Sequence, residues 1–134
     1  MIRFLSFEDV MVILDDQIKN YGGINGVRDT KLLDSAISLP ESSFDGVYLH
    51  KSIPAMATAY VFHICQNHPF LDGNKRVALA SSLVFLDIND YVFECEQDIL
   101  YHTIMRVASG KMSKDELILF YEEHSRETNK NQRK

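Results

Sequence analysis

Nine consecutive residues, His68-Pro69-Phe70-Leu71-Asp72-Gly73-Asn74-Lys75-Arg76, hold most of the groups in this chain that could do chemistry. Helix N-termini present free backbone N–H groups and the positive end of the macrodipole, so a glycine at such a start lets an anion approach closely. Gly73 fits that place. Lys75 and Arg76 add a mobile and a fork-shaped cation to the same seat, and Asp72 is placed to hold a divalent metal that bridges phosphate oxygens. His68, at the other end of the stretch, can take a proton from an incoming hydroxyl near neutral pH. Phe70 reads as the anchor that plugs the stretch into the core, and Asn74 as either a helix cap or a phosphate ligand. A blander reading stays open at this level, namely a charged helix start with an incidental histidine. The P-loop spacing GxxxxGK[ST] is missing, because GNK lacks both its first glycine and its Ser or Thr.

The flanking sequence must position these groups. Ile53 to Gln66 is apolar on more than one face and opens on Ser52 and Pro54, which predicts a central, largely buried helix. Pro69 disfavours helical geometry at His68, so the stretch should run as a loop until Asn74. Lys75 to Ile88 is then predicted helical, giving a helix–loop–helix through the core. Ahead of it, Ser6 caps a helix near residues 7 to 19, and Tyr21 to Gly26 is a glycine-rich loop. Its Gly23-Ile24-Asn25-Gly26 has the bare GxxG form, which reads as a turn because no basic neighbourhood accompanies it. Asp29 caps a short helix over Thr30 to Leu39 that Pro40 ends, and Glu41 to Tyr48 is polar and turn-rich, a candidate flap over the site. After Asn89-Asp90, Tyr91 to Phe93 reads as an extended connector, residues 96 to 108 as a helix, and Ser113 with Glu116 as the capping box of a last helix to about His124. His63 reads as a packed or surface histidine.

The fold class expected is all-α, with about six helices. A single domain over residues 1–124 is expected, with 125–134 a disordered tail, since SRETNKNQRK has no apolar residue. At 134 residues and 46% hydrophobic, the chain can bury a core without disulfides, and it has no apolar run long enough for a membrane. The formal charge of −5 argues against a surface for direct nucleic acid binding. No secretory signal or transit peptide is visible at the N-terminus, so a cytoplasmic location is expected. Cys65 and Cys95 have no metal-like spacing and read as buried thiols.

The nine-residue stretch resembles the signature of the Fic and death-on-curing (Doc) superfamily. Its adenylyltransferase branch carries HPFx(D/E)GNGRxxR and its toxin branch HxFx(D/N)(A/G)NKR. The resemblance reaches outward to Tyr21-Gly22-Gly23, Gly26 to Asp29, Leu32 to Ala36 and Ala108 to Gly110 with Ser113, so it covers about Met1 to His124. It implies an α-helical Fic fold in which a protein hydroxyl attacks a nucleotide phosphate. By that resemblance His68 is the general base, Asp72 the Mg²⁺ ligand, and Gly73, Asn74, Lys75 and Arg76 the phosphate-binding groups, with ATP as co-substrate.

Two departures separate the branches. Lys75 stands where the adenylyltransferases have a second glycine, and Leu79 where they have a final arginine. In the toxin branch the same lysine goes with a reversed nucleotide, so the resemblance implies transfer of the γ-phosphate, a bacterial toxin acting on a threonine of elongation factor Tu and blocking translation. Gly73 matches the adenylyltransferase spelling, and AMP transfer stays open as the alternative, with a catalytically silent partner-binding module a third. The family's self-inhibiting motif, Ser or Thr, three residues, then Glu and Gly or Asn, is absent from the sequence. That absence fits inhibition by a separate antitoxin with a helical C-terminal segment.

Overall fold

The computed structural model describes residues 1–128 and is all-α in class, with six helices and four short strands among them. The helices are α1 (Phe7–Tyr21), α2 (Thr30–Ser38), α3 (Ile53–Asn67), α4 (Asn74–Ile88), α5 (Gln97–Ala108) and α6 (Lys114–His124). The predicted helices lie where their patterns placed them, within about two residues at each end. A single 3-10 turn, Leu39–Glu41, carries the chain past Pro40.

Helix α3 is the axis. Every residue from Pro54 to Val61 is buried, because its apolar side chains point in all directions and neighbours cover each face. Its antiparallel partner α4 covers one face, and α2 and α6 cover others, while α1 packs on α4. Deep hydroxyls are satisfied within this core. Tyr60 Oη accepts from Leu5 N–H at 2.9 Å, and Ser82 Oγ and Tyr121 Oη lie 2.6 Å apart. Burial raises the Tyr121 hydroxyl far above its ordinary pKa.

Two expectations change. Ser125–Glu127 is a strand, β4, rather than the start of a disordered tail, and it pairs antiparallel with β3 (Tyr91–Phe93) in the register Tyr91↔Glu127 to Phe93↔Ser125. Hydrogen bonds from Glu94 N–H to His124 O and from Thr128 N–H to Asp90 O close both ends of the ribbon. Backbone pairing needs no apolar side chain, so a polar segment can be ordered by a partner 30 residues away that its own pattern does not reveal. The rest of the expected tail, 129–134, lies outside the described residues.

The candidate flap, in turn, is a small exposed hairpin, β1 (Ser43–Phe44) with β2 (Val47–Tyr48). Tyr48 packs on Phe4, which stacks on Phe85 near the C-terminal end of α4. The hairpin therefore sits by the start of α3, while the nine-residue stretch follows its end, about 20 Å away at the rise of an α-helix. It does not cover the site. Cys65 is buried as expected and its thiol is pushed up to about 11 by burial, whereas Cys95 is only half-buried.

Candidate active site

The loop between α3 and α4 is built by local rules that the residues themselves set. Helix α3 stops at His68, whose backbone turns left-handed (φ 47°, ψ 55°), the conformation that commonly closes a helix and that Pro69 requires the chain to leave at once. Phe70, 1% exposed, anchors the loop in the core as expected. Asn74 then locks the turn, its Oδ1 accepting from Phe70 N–H at 2.9 Å and its Nδ2 donating to Phe70 O at 3.1 Å.

Helix α4 begins on a left-handed glycine, Gly73 (φ 75°), with no side chain bonded to its first N–H groups. Four of the other helices differ, since Ser6, Asp29, Ser52 and Ser113 each cap their own helix. The first closed bond of α4 is Val77 N–H to Gly73 O, so the N–H groups of Asn74, Lys75 and Arg76 precede the ladder and face outward. They open on a cavity of about 210 Å³ lined by His68, Asp72, Gly73, Asn74, Lys75 and Arg76. All six of the groups read as chemical from the sequence thus share one cavity, and the start of α4 turns its unpaired backbone N–H groups and the positive end of its dipole toward it.

Within it the side chains are not equally free. The Asn74 amide is engaged with Phe70 at both atoms, so its side chain serves as the loop's clasp and only its backbone N–H faces the cavity unpaired. Arg76 reaches the cavity but donates from Nη1 to Gln17 O at 3.3 Å and from Nη2 to Gly22 O at 3.0 Å, steadying the C-terminal end of α1. The Lys75 side chain is exposed, and it lines both this cavity and an adjoining groove of about 400 Å³ between α4 and α5, walled by Leu79, Leu83, Leu100, Ile104 and Met105.

Asp72 accepts one backbone hydrogen bond at each oxygen, from Gly73 N–H at 3.0 Å and Ile24 N–H at 3.2 Å. Each oxygen keeps capacity for a cation. One exposed carboxylate beside a helix N-terminus is a donor set that Mg²⁺ can use when phosphates and water complete its shell, so the residues fit that ion. Among the described residues no cluster of three or more His, Cys, Asp or Glu could hold a metal by itself.

No local pattern in the chain pointed to the strap that holds this loop in place. Residues 22–29 lie along it, with Leu71 N–H bonded to Gly26 O, Arg28 and Asp29 N–H both bonded to Pro69 O, and an isolated bridge between Val27 and Phe70. The GxxG glycines make this possible. A Cβ on Gly23 (φ +113°) would come within 2.8 Å of Asp72 Oδ2, and one on Gly26 within 2.8 Å of the Leu71 side chain. The glycine pattern was visible, but what it lies against was not.

Comparison with known proteins places the chain in a family. The sequence model of the Fic/DOC family matches residues 4–86, which include the whole loop and its strap. The chain is 33% identical to Toxin Doc of Mycolicibacterium smegmatis over 99 residues, covering 74% of each protein. It is also 31% identical to Protein kinase doc of Escherichia phage P1 over 113 residues, 84% of this chain and 87% of that protein. The chain belongs to the Fic/Doc family, in its Doc branch, and its helices form the all-α Fic fold. No helix of the described residues is long and apolar enough to cross a membrane.

Proposed function

We propose that this chain is a Doc-type toxin that transfers the γ-phosphate of ATP to a hydroxyl of another protein. The observation that carries the reading is the shared cavity, where the uncapped start of α4, the Asp72 carboxylate, the Lys75 ammonium and the His68 imidazole face one space. The N–H groups of Asn74, Lys75 and Arg76 would hold the phosphate chain. Mg²⁺ on Asp72 would neutralise charge on the phosphate oxygens. His68 would accept the proton of the incoming hydroxyl as its oxygen bonds to the γ-phosphorus, and the bond to the β,γ-bridging oxygen breaks with its electron pair leaving on ADP. Such transfer depends mostly on positioning and charge neutralisation, which a preformed loop supplies.

Lys75 favours the γ-phosphate over the α-phosphate. Its side chain stands between the anion seat and the apolar groove, the space a glycine would leave open to a nucleotide lying the other way. The relative named a protein kinase supports this reading. AMP transfer remains the second reading, favoured by Gly73 in the adenylyltransferase spelling. By the family resemblance the acceptor is a threonine of elongation factor Tu, so the site of action is the bacterial cytoplasm and the outcome is blocked translation. A toxin of this kind needs a partner antitoxin, whose helical segment would cover the cavity.

One experiment separates the readings. The protein is incubated with Mg²⁺, purified elongation factor Tu and ATP labelled at either the α- or the γ-phosphate. Label retained from the γ position alone is the expected result. Retention from the α position would establish AMP transfer instead, and no retention from either would leave a binding module.

A further inference from the structure

Arg28 lies forty residues before the loop's histidine, yet it donates to three consecutive carbonyls around it. Its Nη2 reaches Asn67 O at 3.0 Å, its Nε reaches His68 O at 2.7 Å, and its backbone N–H reaches Pro69 O at 2.7 Å. The first two are carbonyls that the end of α3 leaves without helical partners, the third lies one residue past its cap, and a cation there also opposes the negative end of the helix dipole. His68 needs such support. A non-glycine residue at φ 47° is in a sparsely populated region and persists when its surroundings over-determine it. No side chain of the loop itself bonds the carbonyls of Asn67 and His68; Asn74 holds Phe70, two residues on.

We propose that Arg28 is a positioning residue that fixes the left-handed turn at His68 and so aims its imidazole into the cavity. The inference rests on the reading of His68 as the proton acceptor. Arg28 is fastened in turn by the strap on which it sits, so the peptide following α1 controls the direction of a side chain at the end of α3. The Arg28 guanidinium bonds only the carbonyls of Asn67 and His68 and no group at the start of α4, so the effect of changing it should fall on proton transfer and spare nucleotide binding.

The test compares wild type, Arg28→Gln and Arg28→Lys, each checked by circular dichroism and thermal melting, with two readouts. One is kcat and KM for Mg²⁺·ATP in transfer to the protein acceptor. The other is the ring C–H resonance of His68 in protein labelled with ¹³C-histidine, assigned with His68→Ala, with the other four histidines as internal controls. The expected result for Arg28→Gln is a fall in kcat of about tenfold or more with KM within twofold, and a shifted or broadened His68 resonance alone. Arg28→Lys, which keeps the cation and can reach one carbonyl, should recover part of both, and it carries the test if Arg28→Gln does not fold. An unmoved His68 resonance overturns the proposal, whatever happens to kcat, and so does a wild-type kcat. If the wild type itself transfers no label, the functional reading fails and the resonance still decides whether Arg28 sets the orientation of His68.

Discussion

Lys114 Nζ lies 3.0 Å from Nε2 of His63 and 2.8 Å from Nε2 of His50, so a single ammonium donates to two imidazoles. Each ring can accept only while neutral. Burial, then the charge of Lys114, then His50 push His63 down to about 4, and burial followed by Lys114 lowers His50 as well. Asp115, next to Lys114, is the acidic group that bears on the cluster.

The pH dependence follows from these directions. An unfolded histidine titrates near its ordinary value of 6.5, so between about 4 and 6.5 the unfolded chain binds more protons than the folded one. The stability contributed by these two histidines is therefore complete above 6.5 and is lost as pH falls toward 4. Urea denaturation should give a lower midpoint at pH 5 than at pH 7.5, and His63→Gln should reduce the difference. A His63→Gln protein as acid-sensitive as wild type would assign the loss to other groups.

Asn74 supports a prediction about stability rather than chemistry. Phe70 is buried, and Asn74 supplies the side-chain partners of both its N–H and its C=O. Asn74→Ala strips both, and each buried polar group left unpaired costs about 1–3 kcal/mol. Asn74→Asp keeps the acceptor and loses the donor, so it should fall between. Chemical denaturation of the three proteins checks the order, and equal stability would remove Asn74 from its role as the clasp.

Gly22 and Gly23 make a controlled pair. Both have positive φ, but a Cβ on Gly22 would meet nothing within 4 Å, whereas one on Gly23 would press on Asp72 Oδ2. Gly22→Ala should cost about 1–3 kcal/mol through backbone strain, because φ 85° with ψ 176° is a region that essentially only glycine occupies, and place no atom against Asp72. Gly23→Ala should in addition displace the Asp72 carboxylate and weaken Mg²⁺-dependent binding of ATP by several-fold. Titration calorimetry with and without Mg²⁺ distinguishes the two.

These residues also show where the sequence was legible. The helix–loop–helix, the Phe70 anchor and the gathering of His68, Asp72 and Lys75 follow from periodicity, Pro69 and the glycine at the helix start, all local signals. Arg28, the strap glycines and the β3–β4 ribbon depend on partners 30 to 50 residues away, so no window on the chain contains the reason for them. Asn74 was local and still undecided, because a cap and a phosphate ligand demand the same amide. The structure makes it neither a cap of α4 nor a free ligand, since both amide atoms hold the backbone of Phe70. The hairpin over residues 43–48 is exposed, in keeping with its polar, turn-rich composition, but its distance from the site is a property of the direction in which α2 and α3 run.

The last prediction separates the two residues that the proposed chemistry treats differently. His68 is exposed at the rim of the cavity and would act on the acceptor hydroxyl, while the Lys75 ammonium lies beside the phosphate seat. His68→Ala should therefore lower kcat by about 10²- to 10⁴-fold, the usual worth of a positioned base, with affinity for Mg²⁺·ATP unchanged. Lys75→Ala should raise Kd for the nucleotide, and added salt should shrink the gap between it and wild type, because the lost interaction is a solvent-accessible charge pair. Single-turnover transfer with calorimetric Kd at two ionic strengths measures both. Were His68→Ala to lose affinity and Lys75→Ala to lose only rate, the assignments of base and phosphate ligand would have to be exchanged.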